Sequence, residues 1–174
     1  MVLFLELGLF RLRRQTTAGK PRVSVVVAAR NEAKNIGSCL QALLRQTYPR
    51  DLTEIIVVDD RSTDETPQLI SVYQQRNPGL LLSKRLTAPE PGVSPKKRAL
   101  QEGIVLASGE IIQTTDADCV PPPRWIEQTV ALFTAEVGIV IGPAPFFPGP
   151  SLASKILALD NLAAAFVAAG GAGW

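Results

Sequence analysis

The sequence contains no histidine. That removes the side chain most often used as a general base near neutral pH and the commonest zinc ligand, so acid–base or metal chemistry falls to carboxylates. Carboxylates favour hard, oxygen-preferring divalent cations. Cysteine is nearly as scarce: Cys39 and Cys119 are the only two, and neither belongs to a Cys-x-x-Cys or similar metal-ligand spacing. The simpler reading is a reduced, cytosolic setting in which Cys39 packs in a helix and Cys119 is a small residue beside a turn. Charge imbalance is missing as well, since 18 Lys and Arg against 16 Asp and Glu leave a net charge of +2. Composition therefore supports no general nucleic-acid-binding surface. No Gly-x-Gly-x-x-Gly follows a strand-like run, which argues against a dinucleotide-dependent oxidoreductase.

Long apolar runs are also lacking. Met1 to Phe10 is apolar but well short of the roughly 20 residues that span a bilayer, and Arg11, Arg13 and Arg14 follow it at once. A signal peptide has the opposite order of basic and apolar regions. Residues 1–20 thus read as a membrane-proximal segment at the cytoplasmic face of the cell membrane, either an interfacial anchor or the stub of a longer membrane segment with its basic flank on the cytoplasmic side, with an ordinary terminal helix as the alternative. A second apolar stretch, Ser151 to Ala169, is interrupted by Lys155, Asp160 and Asn161.

What is present is a regular alternation. With 46% hydrophobic and 20% charged residues in 174, the chain has the composition of one globular domain with a substantial core. From Arg22, apolar runs of strand length alternate with stretches of helical period, the pattern of a mostly parallel α/β sheet. The strands are expected at Val23–Ala29, Glu54–Val58, Leu80–Arg85, Glu110–Thr115 and Val137–Ile141. The first helix carries the stripe Ile36, Leu40, Leu43 and Leu44, with Asn31 or Asn35 as its cap. The second begins with a Ser62–Glu65 capping box or with Thr66 as cap before Pro67. A third, Lys96–Ala107, would turn Ala99, Leu100, Ile104 and Ala107 inward and end at Gly109. A fourth contains Trp125, Ile126, Val130 and Phe133, after a rigid exit at Pro121, Pro122 and Pro123.

Polar clusters fall where these strands end. Arg30, Asn31 and Glu32 follow the first, Asp59 and Asp60 the second, and Asp116 and Asp118 the fourth; the basic turn Lys96, Lys97, Arg98 opens the helix before that last strand. Ligands of open parallel sheets bind at the carboxyl ends of the strands. Cations in the first turn of a helix oppose its dipole, which points to a nearby anion. Carboxylates one residue apart can hold a divalent cation, and that cation in turn neutralises a diphosphate that acids alone would repel.

Three stretches, VSVVVAARNE from Val23 to Glu32, EIIVVDDRSTDET from Glu54 to Thr66 and TTDADC from Thr114 to Cys119, together resemble the family 2 glycosyltransferases of the GT-A fold. PKKRAL from Pro95 to Leu100 resembles that family's glycine-lysine element, with Pro95 in place of the glycine and Gln101 in place of the usual asparagine. The resemblance covers about Arg22 to Val140. It implies a Rossmann-like, mostly parallel sheet flanked by helices, and an inverting transfer of a sugar from a nucleotide-diphosphate sugar to an acceptor.

By the same resemblance, Ala29, Glu32 and Asp60 would line the nucleotide base and ribose pocket, Arg30 would also bind the donor, and Lys96 or Arg98 would approach from the other side. Asp116 would face the ribose or the metal, and Asp118 would hold Mn2+ or Mg2+. The domain is expected at residues 21–142, with residues 143–174 the start of an incomplete acceptor region. No catalytic base is assigned, because the family places that carboxylate downstream, beyond Trp174. The acceptor is a saccharide or a lipid-linked saccharide, in keeping with cell-envelope polysaccharide synthesis. Competing readings are a nucleotidyltransferase acting on sugar phosphates and a non-catalytic nucleotide-sugar-binding fragment.

Overall fold

The structure, a computed structural model, describes residues 20–142 and 151–156. The chain forms two compact units, Ala18–Val130 and a second made of Met1–Thr17 with Ala131–Trp174. The first contains a parallel sheet of four strands: β1 (Val23–Ala29), β2 (Thr53–Asp60), β3 (Leu81–Leu86) and β4 (Ile111–Asp116), in the order β3-β2-β1-β4. Between them run α1 (Ile36–Leu44), α2 (Thr66–Arg76) and α3 (Pro95–Leu106), and α4 (Trp125–Val130) follows β4.

Continuous β-branched sequence makes the central strands. Val25, Val26, Val27, Ile55, Ile56, Val57 and Val58 are all fully buried, so both faces of β1 and β2 are covered. On one face Val26, Ile56, Val58 and Leu86 pack with Ala99 of α3. Gly103 brings α3 close to this face, since a Cβ there would collide with Val26 Cγ1. Gly103 rather than Ile104 therefore faces the sheet: Ile104 is exposed, while Leu100 and Ala107 are partly buried against the cluster. On α1, Ile36, Cys39, Leu40 and Leu43 form the buried stripe.

The parallel register fixes one functional edge. Ala29 pairs with Asp59, Asp60 with Leu86, and Ala28 with Asp116, so the carboxyl ends of all four strands lie side by side, with the acids of β2 and β4 among them. The aspartates end the strands instead of sitting in the loops, because ladder pairing extends β2 and β4 to them. At the opposite edge, Glu54 Oε1 accepts bonds from Ser24 Oγ (2.5 Å), the Ser108 amide (2.6 Å) and Ser108 Oγ (2.9 Å), tying the starts of β1, β2 and β4 together.

Several local expectations change. α3 ends at Ala107 in extended conformation, and Gly109 is needed for close packing on Ser24, not as a helix terminator. Asn35 stands at the start of α1 without a side-chain cap bond, and Ser62 does not cap α2, because its hydroxyl is used by another loop. The fifth strand at Val137–Ile141 does not form: residues 137–142 have no regular structure, Ile139 and Ile141 are exposed, and among the described residues the sheet has four strands. In the second unit residues 152–156 are helical; the remainder of the apolar stretch Ser151–Ala169, and the segment from Met1 to Arg14, lie outside the described residues. Among the described residues no helix is long and apolar enough to cross a membrane.

Candidate functional site

Successive residues of a strand point to opposite faces, and this separates the two aspartates ending β2. Asp60 lies on the same side as Val58, the side roofed by α3. Asp59 points away: its Oδ1 accepts the Ser62 amide at 3.2 Å, and Arg85 Nε of β3 stands 3.2 Å from its Oδ2. Asp59 therefore braces the end of the sheet, while Asp60 faces a cleft of about 330 Å3, a size within the range of small-ligand sites.

The cleft gathers residues from four places. β1 and its loop contribute Ala29, Arg30 and Glu32; β2 contributes Asp60; the start of α3 contributes Pro95 and Lys96; and the end of β4 with the turn after it contributes Asp116 and Asp118. Every site residue expected from sequence lines this one cleft except Arg98. The Arg98 guanidinium instead pairs with Glu90 at 3.2 Å and bonds the Ala88 carbonyl, which fastens the loop before α3.

Asp60 is 2% exposed and heavily compensated. Arg61 forks onto it, Nε to Oδ1 at 2.8 Å and Nη2 to Oδ2 at 3.1 Å, and Arg30 Nη1 lies 3.6 Å from Oδ2. The hydrogen bond from Arg61, with the charges of Arg61, Arg30 and Arg98, holds the Asp60 carboxyl below its ordinary range against the opposing effect of burial. Arg61 has φ 58°, a left-handed conformation uncommon for a side chain of this size.

The two loops at the edge are interlocked. The Asn31 amide donates to Ser62 Oγ at 2.9 Å, the Thr63 amide returns a bond to Asn31 Oδ1 at 2.8 Å, and the Glu32 amide donates to Thr66 Oγ1 at 2.8 Å. Asp64 accepts from the Ala33 amide at 3.0 Å, the Thr66 amide at 3.0 Å and the Thr66 hydroxyl at 2.6 Å. The last of these, reinforced by the backbone bonds, lowers the Asp64 pKa. Reading Ser62 to Thr66 as a helix start misses this role. The available signal is that five consecutive hydrogen-bonding side chains exceed what one helix terminus needs.

Around the last turn, the Cys119 amide donates to the Asp116 carbonyl at 3.1 Å, and the buried Cys39 thiol approaches the same oxygen at 3.6 Å. Burial pushes the Cys39 thiol up to about 12; it packs as an inert small hydrophobe. Lys96 Nζ pairs with Asp116 at 2.6 Å. Among the described residues no group of three or more acidic, histidine or cysteine side chains gathers to hold a metal ion. Asp116 and Asp118 could offer two carboxylates, which suits a cation such as Mg2+ or Mn2+ that completes its shell with phosphate and water.

A profile of Glycosyl transferase family 2 matches residues 24–153. The chain belongs to this family. Among curated relatives, this family 2 chain is 34% identical over 120 residues to a beta-monoglucosyldiacylglycerol synthase of Synechocystis sp., covering 69% of the chain and 24% of the synthase. The mannosyltransferase PcManGT from Pyrobaculum calidifontis, solved in complex with GDP-Man and Mn2+, superposes with a TM-score of 0.57 at 33% identity, covering 75% of this chain and 37% of that one. TarS 1-349 of S. aureus, solved in complex with UDP-GlcNAc, superposes with a TM-score of 0.52 at 32% identity, covering 63% and 30%. The family 2 chain thus spans well under half the length of each of these proteins, and its sheet is that of GT-A glycosyltransferases.

Proposed function

We propose that the cleft binds a nucleotide-diphosphate sugar together with Mn2+ or Mg2+, and that the chain is the donor- and metal-binding part of an inverting glycosyltransferase. The observation that carries this reading is the convergence of Asp60, Lys96, Asp116 and Asp118 on one cleft at the carboxyl edge of the sheet. A lone set of acids would repel a diphosphate; acids facing lysine and arginine, with the Asp116 and Asp118 carboxylates in place to take a cation, would not. The two similar structures were solved with GDP-Man and Mn2+ and with UDP-GlcNAc, which supports the same ligand class here.

Within this reading, Ala29, Arg30, Glu32 and Asp60 receive the base and ribose, with Asp60 accepting from a ring or hydroxyl donor. Lys96 meets the diphosphate, and Asp116 and Asp118 hold the cation. Bound there, the cation would neutralise the leaving diphosphate. The acceptor oxygen then bonds to the anomeric carbon from the face opposite the departing phosphate as the anomeric carbon–oxygen bond to the diphosphate breaks, which inverts that centre, and the hydroxyl proton passes to a base other than the cleft carboxylates. No cleft carboxylate is given the general-base role: Glu32 accepts from Asn35 Nδ2 and is assigned to the nucleotide, Asp60 is held by Arg61 and Arg30, and Asp116 and Asp118 serve the cation. A lipid-linked acceptor is in keeping with the name of the Synechocystis relative, a beta-monoglucosyldiacylglycerol synthase, and a cytoplasmic-face position with the basic run Arg11, Arg13 and Arg14.

Calorimetric titration with UDP and GDP in the presence of Mn2+ tests the assignment. Binding by the native chain should weaken at least about tenfold in Asp118→Ala, as expected when a charge-assisted contact is lost. No binding of either nucleotide, or binding indifferent to Asp118→Ala, would remove the basis for the proposal.

A further inference from the structure

The two carboxylates offered to a cation differ in their surroundings. Lys96 Nζ lies 2.6 Å from Asp116 Oδ1 and 2.8 Å from Oδ2, so one ammonium spans both oxygens of that carboxylate. Asp118 has only the Cys119 thiol at 3.8 Å and, among the described residues, no cationic partner. The pair joins the first turn of α3 to the end of β4 across 20 residues of sequence. A lysine in that turn opposes the helix dipole, and the Asp116 anion offsets the mismatch in the absence of any ligand.

We propose that Lys96 is a built-in counter-ion that occupies Asp116 while the cleft is empty and yields that carboxylate to a divalent cation when a diphosphate arrives to take the ammonium. The inference rests on the donor-site reading above and concerns the coupling between its two ligands. Lys96 covers both Asp116 oxygens, so a metal ion that takes them has to displace the ammonium, and the two cations repel each other. A cation binding alone must therefore return Lys96 to water. With a diphosphate present, the displaced ammonium gains a charge-assisted partner instead. Cation and diphosphate then bind cooperatively, each tightening the other beyond their direct contact. Lys96 and Asp116 are both more than half exposed, so the latch is weak and readily exchanged.

The test uses the full chain and reads free Mn2+ by electron paramagnetic resonance, with Mn2+ alone and with Mn2+ at saturating UDP or GDP. Lys96→Met should bind Mn2+ alone about two- to fivefold more tightly than the native protein, the factor expected for loss of an exposed ion pair. It should also bind the nucleotides more weakly, so that the factor by which nucleotide tightens Mn2+ falls. Lys96→Arg should restore native behaviour. Unchanged, weaker or unmeasurable binding of Mn2+ alone by Lys96→Met would overturn the proposal, and the donor-site reading would survive if Asp118→Ala still abolished nucleotide-supported Mn2+ binding. If Asp118→Ala leaves that binding intact, the donor-site reading fails and the counter-ion role fails with it.

Discussion

The backbone amide of Ala33 donates to Asp64 Oδ2 at 3.0 Å, so the loop that presents Arg30 and Glu32 is held by a side chain of the loop after β2. Because Asp64 also accepts from the amide and hydroxyl of Thr66, one carboxylate serves both loops at once. Without it, the loop would have to be ordered at the expense of ligand binding.

Asp64→Ala should therefore weaken UDP or GDP binding roughly three- to tenfold, the effect expected when a preorganised loop must be immobilised on binding. Asp64→Asn, which keeps one acceptor oxygen, should lie between the native chain and the alanine variant. Calorimetry checks this, and equal affinities in all three proteins would show that the loop is held by other means.

Gly109 and Gly103 set how closely the chain approaches β1. A Cβ at Gly109 would stand 2.6 Å from Ser24 N and 2.9 Å from Val23 C, atoms of rigid backbone, so Gly109→Ala should cost about 1–3 kcal/mol in urea unfolding. A Cβ at Gly103 meets a side chain, Val26 Cγ1, which can be removed. The double variant Gly103→Ala with Val26→Ala should thus be more stable than the sum of the single changes predicts. Strict additivity would contradict the close approach.

Acid should weaken the fold through Glu54. Burial alone would raise its pKa, but hydrogen bonds from Ser24, Ser108 and Gly109 outweigh it and leave the carboxyl below its ordinary 4.5. A depressed carboxyl contributes stability that is complete above its ordinary value and is lost as pH falls through the lowered one. Glu54→Gln should cost about 1 kcal/mol at neutral pH, and melting curves of the two proteins should converge as pH drops below 4.5. A gap that persists at low pH would mean that the charge of Glu54 is not what matters.

Arg61 combines a left-handed backbone with a fork onto Asp60. Both Arg61→Gly and Arg61→Ala remove the fork, but only glycine is at ease at φ 58°. The glycine variant should be the more stable of the two, and nucleotide binding should change equally in both. Thermal unfolding with the two proteins side by side decides this, and an alanine variant as stable as glycine would argue against backbone strain at this position.

Much of the sheet is legible in the chain itself. Val23–Ala29 is bounded as expected, and the other three strands shift by only one or two residues at each end, because uninterrupted β-branched runs have few other ways to be buried. Val137–Ile141 has the same composition and forms no strand, since a strand also needs a partner and composition does not supply one. The membership of the cleft is similarly legible at Asp60 and Asp116, which end strands, at Asp118 in the turn that follows, and at Lys96 in the first turn of α3, all on the same edge.

Arg98 shows where such reasoning stops. It has the same charge as Lys96 and lies two residues away, yet its guanidinium is committed to Glu90 and the Ala88 carbonyl. The sequence alone determined the strand and helix types and the edge on which the acids collect, because both follow from local periodicity and from parallel strands sharing one direction. Only the tertiary structure decided that Asp59 braces β3 while Asp60 faces the cleft, that Asp64 ties two loops, and that Lys96 meets Asp116. Those outcomes depend on distances between residues far apart in the chain, which packing sets and periodicity does not encode.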